Sequence, residues 1–133
     1  MSEKSSSVHY NEYLDLDKIL NAQHPLSKGG DNEAHEEMLF IIIHQTYELW
    51  FKQIIHEVDS VMFLLSQDKI DEENVGVVVG RFDRVNKILD ILVKQLDILE
   101  TMTALDFLDF RNYLSPASGF QSCLLYTSPS PRD

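Results

Sequence analysis

Apolar positions recur in threes and fours from Phe40 to Leu65. Phe40, Ile43, Tyr47, Phe51, Ile54, Val58, Val61, Met62 and Leu65 form one stripe, at the spacing of a single α-helix face. Glu48, Lys52, Glu57 and Asp59 fall largely off that stripe, as expected of an amphipathic helix lying against a core. The pattern predicts a helix over 32–66, with Asp31 or Asn32 as its cap and Glu33, Glu36 and Glu37 at its positive N-terminal end. A second long helix is predicted over 72–101, capped by Asp71. Its buried side is read from Val75, Val78, Val79, Phe82, Val85, Ile88, Leu89, Leu92, Leu96 and Leu99. Gly76 and Gly80 interrupt it, each at about 1 kcal/mol relative to alanine, and their spacing would admit a close helix neighbour. The short polar link between the two helices implies an antiparallel pair.

The flanks read more simply. Spacing from Leu14 to Leu20 suits a short helix, with Tyr10 and Tyr13 ahead of it. Pro25, Ser27, Gly29 and Gly30 mark a loop over 24–32. A further helix is predicted over 101–114, where Thr103 followed by Asp106 has the form of a capping box. Phe107 and Arg111 are four apart and share a face of it. Ser115, Pro116 and Gly119 then turn the chain into a loop. No strand alternation is sustained, so the expected fold class is all-α, with long antiparallel amphipathic helices.

Composition narrows the function classes. The chain has 133 residues, enough for one domain with its own core. Its net charge is −11, from 22 acidic and 11 basic residues, which argues against nucleic acid and against docking on an anionic membrane. Cys123 is the single cysteine, so no intrachain disulfide is expected and a reducing, cytoplasmic location fits. No apolar run reaches transmembrane length. Residues 1–9 read as a disordered lead-in without a signal-like apolar segment.

One residue interrupts the apolar stripe. His44 lies four after Phe40 and three before Tyr47. A buried imidazole without a partner costs about 1–3 kcal/mol, so His44 is either a core histidine bonded to a nearby carbonyl or a polar group aimed into an apolar ligand pocket. Local motifs do not decide. A zinc-protease pattern after His35-Glu36 or His56-Glu57 needs a histidine where Leu39 and Ser60 stand. The Glu-x-x-His pairs of di-iron bundles are missing, because Phe40 and Ser60 follow Glu37 and Glu57 at that spacing. Ser27-Lys28-Gly29-Gly30 is too short for a phosphate loop.

Longer stretches carry more. Leu39-Phe40-Ile41-Ile42-Ile43-His44-Gln45-Thr46-Tyr47-Glu48-Leu49-Trp50-Phe51-Lys52-Gln53 resembles the distal-side helix of the tryptophan 2,3-dioxygenase family. Leu99 to Phe107, then Asp109-Phe110-Arg111 and the run from Tyr113 to Ser122, resemble the same family, as does Tyr10-x-x-Tyr13-Leu14 with Asn21-Ala22-Gln23. The resemblance spans about 8–122 and implies that 10–122 is the N-terminal part of an all-α haem dioxygenase domain. It implies haem b with its iron as cofactor, L-tryptophan and O2 as substrates, N-formyl-L-kynurenine as product, and a homotetramer. By the same resemblance, His44 would hydrogen-bond the indole N–H as the catalytic histidine, by positioning or as a base. Phe40 would pack on the ring, with Ile41, Ile42 and Ile43 beside it. Phe107 would line the pocket, and Arg111 would clamp the carboxylate with its planar fork. Without the resemblance, Arg111 reads as a surface ion pair with Asp106 or Asp109, and Phe107 as core. Ser118 and Gly119 would lie against the haem edge. Tyr10 and Tyr13 would reach into a neighbouring subunit's pocket.

Full-length members carry their proximal haem histidine further along, and nothing after Ser122 resembles the family. No metal ligand is therefore expected in this chain, and it is expected to be inactive alone. Residues 123–133 read as unrelated sequence joined to a truncated frame. The competing class is a non-enzymatic helical module, or a short isoform that pairs with full-length subunits.

Overall fold

The computed structural model describes residues 8–114, and every regular element among them is helical. In order these are α1 (Tyr10–Tyr13), α2 (Leu16–Ile19), α3 (Glu37–Leu65), α4 (Glu72–Leu99) and α5 (Ala104–Arg111), followed by a 3₁₀ turn, Asn112–Leu114. The α3–α4 pair forms the body, as the two long periodic stretches require. Two predicted caps are present. Asp71 accepts from the Asn74 N–H at 2.8 Å. Thr103 and Asp106 exchange both bonds of a capping box at 3.1 Å each.

The N-terminal boundaries differ from expectation. The predicted helix around Leu14–Leu20 is broken at Asp15, whose φ of 55° is left-handed, a conformation that short polar side chains tolerate. The result is two four-residue pieces, neither with a buried residue. The long helix begins at Glu37 rather than at 32, and neither Asp31 nor Asn32 caps it. The preceding segment instead satisfies its own donors, which competes with helix formation. Ser27 Oγ accepts from the Ala34 N–H at 3.0 Å, and Glu33 accepts from the Gly29 N–H at 2.9 Å.

Glu37 does not serve its own helix end. It is 1% exposed and takes the Leu26 N–H at 2.8 Å, the Ser27 N–H at 2.9 Å and the Ser27 hydroxyl at 2.6 Å. Burial alone would raise its pKa, but the Ser27 hydroxyl and the Ser27 and Leu26 amides outweigh it and hold the carboxyl below its ordinary range. The loop before α3 is thus fastened to the first turn of α3.

The seam between α3 and α4 is apolar with polar cross-links. Ile43 and Val61 of α3 and Val78, Val85, Ile88 and Leu92 of α4 are buried. The Tyr47 hydroxyl donates to the Leu92 carbonyl at 2.7 Å, and Thr46 Oγ1 lies 3.1 Å from Gln95 Oε1. Glu57, placed off the buried stripe by the sequence pattern, is 3% exposed. It accepts from Arg84 at 3.0 Å and from Gln53 at 2.6 Å. Burial pushes its pKa up, while Arg84, Gln53 and the nearby His56 together bring it below the ordinary value.

The predicted buried side of α4 is only half covered. Val75, Val79, Phe82, Leu89 and Leu96 are exposed, and a side chain at Gly76 or Gly80 would meet nothing within 4 Å among the described residues. The α4 stripe is therefore wider than α3 can cover.

The two depressed carboxylates make stability depend on acid. Each contribution is present above the unfolded carboxylate pKa of about 4.3 and is lost as pH falls through the lower folded value. Glu37→Gln and Glu57→Gln should each flatten the acid limb of a stability–pH profile below about pH 4.3. Arg84→Met, which leaves Glu57 buried with one amide donor, should destabilise by about 1–3 kcal/mol at neutral pH. Denaturant melts followed by circular dichroism across pH measure both effects; an unchanged acid limb would refute the assignment.

Candidate functional site

Successive helix positions point about 100° apart, so the rotation of α3 decides which side chains meet. Ile43 is buried one turn before Tyr47, on the α4 side. Phe40 and His44 lie further round. Their rings stack at 4.3 Å, tilted by 35°. The His44 Nδ1 is 2.7 Å from the Phe40 carbonyl oxygen. A carbonyl can only accept, so Nδ1 carries the proton in this contact, and in the neutral ring Nε2 is left as an acceptor. His44 is exposed. The imidazole has the carbonyl partner of the core alternative but is not in the core.

α5 docks on this turn through aromatic rings. Phe40 meets Phe107 at 5.8 Å and Phe110 at 5.3 Å, and Phe107 meets Phe110 edge-on at 5.4 Å. Such tilted and edge-to-face pairs suit the ring quadrupoles. Phe110, 1% exposed, is the buried anchor of the group. Sequence reasoning gave it no role, although its three-residue spacing from Phe107 was visible.

His44 also lines a cavity of about 400 Å³ between α2 and α3, together with Ile19, Ala22, Gln45, Glu48, Leu49 and Lys52. The size is that of a small-molecule site; its surface is largely apolar, with His44, Gln45, Glu48 and Lys52 among the lining residues. Gln45 holds its edge: its amide donates to the Ala22 carbonyl at 3.0 Å and accepts from Gln23 at 2.8 Å.

The other candidates are placed as follows. Arg111 is the last residue of α5, exposed, and forms no ion pair among the described residues. Asp106, one of the two partners considered for it, is engaged with Thr103. Ile41 is half-buried, and Ile42 lines a separate cleft beside the 25–36 loop. Tyr10 and Tyr13 are 72% and 76% exposed and away from the aromatic group. Ser118 and Gly119 lie outside the described residues. The structure thus brings Phe40, His44 and Phe107 together and leaves Arg111, Tyr10 and Tyr13 on the surface. No three His, Cys, Asp or Glu side chains gather as a metal site among the described residues.

Phe110→Ala should cost about 3–5 kcal/mol as a buried large-to-small change and release α5 from α3. Faster amide exchange over 104–111 with little change in α4 is the expected signature; equal change in both helices would contradict the docking role.

A model of the tryptophan 2,3-dioxygenase family matches residues 1–126, reaching into the stretch from 123 that the sequence set apart. The chain is similar to proteins named tryptophan 2,3-dioxygenase in three distant organisms. It is 54% identical to that of Bdellovibrio bacteriovorus over 90% of this chain and 33% of the relative. The Dictyostelium discoideum protein is 57% identical over 86% of this chain and 29% of its own length. The Anopheles gambiae protein is 58% identical over 85% and 29%. The chain spans about a third of the length of these relatives. With the helix that carries Phe40 and His44 inside every one of these extents, the chain belongs to the tryptophan 2,3-dioxygenase family.

Proposed function

We propose that this chain is the N-terminal part of a dioxygenase that opens the indole ring of L-tryptophan with O2 to give N-formyl-L-kynurenine. The observation that carries the reading is the family match over nearly the whole chain. The geometry supports it at one atom: with Nδ1 held on the Phe40 carbonyl, His44 offers Nε2 as an acceptor, the function needed to receive an indole N–H.

In this reading His44 orients the indole, which is worth more in rate than its single hydrogen bond suggests, because a correctly placed ring has already lost its rotational freedom. Phe40 and Phe107 supply apolar ring contacts. Arg111 supplies a cation for the substrate carboxylate, consistent with its exposed guanidinium at the end of α5. The complete protein is read as a cytoplasmic homotetramer, with Tyr10 and Tyr13 reaching a neighbouring subunit. No helix among the described residues is long and apolar enough to cross a membrane.

In this reading the residues of this chain lie on the substrate side of haem b. His44 is exposed with Nε2 open among the described residues, and Phe40 and Phe107 form an apolar ring surface beside it, which suits the substrate side of such a group. By the family resemblance, the iron-ligating histidine belongs to the two thirds of the family's length beyond this chain, and Ser118 and Gly119 to the haem edge. When bound, haem supplies the activation of O2; the residues of this chain bind and orient the amino acid.

In the haem-loaded complete polypeptide, Arg111→Leu should raise KM for L-tryptophan about 10- to 100-fold, the loss expected of a charge-assisted pair. Formation of N-formyl-L-kynurenine measures it. No turnover of L-tryptophan by the intact wild-type protein would overturn the reading and leave a helical module that pairs with other subunits.

A further inference from the structure

The segment that walls the cavity beside His44 is held on by very little. Neither α1 nor α2 contains a buried residue, and the apolar Leu14 and Leu16 are only half-buried. What fixes the segment is a ladder of amides. Gln23 Nε2 donates to the Ile19 carbonyl at 3.0 Å and to Gln45 Oε1 at 2.8 Å, and Gln45 Nε2 donates to the Ala22 carbonyl at 3.0 Å. Two bonds that cross from this segment to α3 pass through one side chain, Gln45. Ile19, Ala22 and Gln45 line the cavity that His44 also lines, so the same amide sets how closely that wall stands to the imidazole. Gln45 is itself anchored, because the next two residues, Thr46 and Tyr47, reach to α4.

We propose that Gln45 is a positioning residue: its side-chain amide straps the Ile19–Gln23 segment across α3 and thereby limits approach to His44 from the cavity side. That the strap limits where a substrate ring comes to rest follows only if the dioxygenase reading holds; the strap itself does not depend on it. A glutamine suits the task because one amide is donor and acceptor at once. Leucine would keep the bulk and lose both bonds, and glutamate would keep the acceptor for Gln23 and lose the donor to Ala22.

The test compares the wild-type chain with Gln45→Leu, Gln45→Glu and Gln23→Leu. One readout is amide exchange over 16–23; the other is the rate at which diethyl pyrocarbonate modifies His44, with the exposed His35 and His56 as internal references. Gln45→Leu should speed exchange over 16–23 about tenfold, as loss of a local closing interaction does, and accelerate modification of His44 at least about threefold relative to His56. Gln45→Glu should lie between wild type and Gln45→Leu. If Gln45→Leu accelerates His56 equally, the fold has been lost and Gln23→Leu decides, since it cuts the bridge from the strap side. Unchanged exchange over 16–23, or faster exchange with unchanged His44 reactivity, overturns the proposal. Neither readout needs haem or tryptophan, so a failure of turnover in the complete enzyme and a failure of the strap remain distinguishable.

Discussion

The rotation of α3 about its own axis is the constraint on which the other features depend. A turn of one residue would move His44 by about 100° and carry Ile43 out of the seam. Three cross-links oppose that rotation: Tyr47 on the Leu92 carbonyl, Thr46 beside Gln95, and Glu57 on Arg84. The apolar seam gives affinity between the helices but little sense of direction, because dispersion and burial are not directional. The hydrogen bonds supply register. With α3 fixed, Phe40 presents its ring to α5, Gln45 reaches the segment after α2, and His44 stands between them.

The same logic explains how the elements at the two ends are attached. α5 is held by buried aromatic area centred on Phe110. The segment 10–23 is held by amides and has no buried residue. The loop before α3 is held by one carboxylate that satisfies three donors. Polar attachments of this kind define position well, and removing a single partner leaves the remaining group unsatisfied.

Periodicity made the two long helices legible, and side-chain chemistry made the Asp71 cap and the Thr103–Asp106 box legible. These are local signals, complete within a few residues. The break at Asp15 was not legible, because a left-handed residue other than glycine leaves no mark in apolar spacing. Nor was the start of α3, where Ser27, Glu33 and Glu37 satisfy loop donors across sequence separations of four to eleven. Glu57 was misplaced because a charged side chain scores as exposed unless its partner is known, and Arg84 is 27 positions away. The α4 stripe was read as wholly buried because periodicity reports what a helix is able to bury, not what is present to cover it. For the site, His44 stood out as a polar interruption and Phe40 and Phe107 came with the family resemblance, whereas Phe110 and Gln45 became meaningful only once α5 and the segment after α2 were placed against α3.

The central claim is that His44 receives the indole N–H through Nε2, and a thermodynamic cycle tests it most directly. In the complete haem-loaded polypeptide, the dissociation constants of L-tryptophan and of 1-methyl-L-tryptophan would be measured for the wild-type protein and for His44→Ala. The account predicts that the wild type prefers L-tryptophan by about tenfold or more, the worth of one hydrogen bond together with the displaced methyl group, and that the preference collapses in His44→Ala. Equal preference in both proteins would show that the imidazole does not meet the indole nitrogen, and would contradict the account.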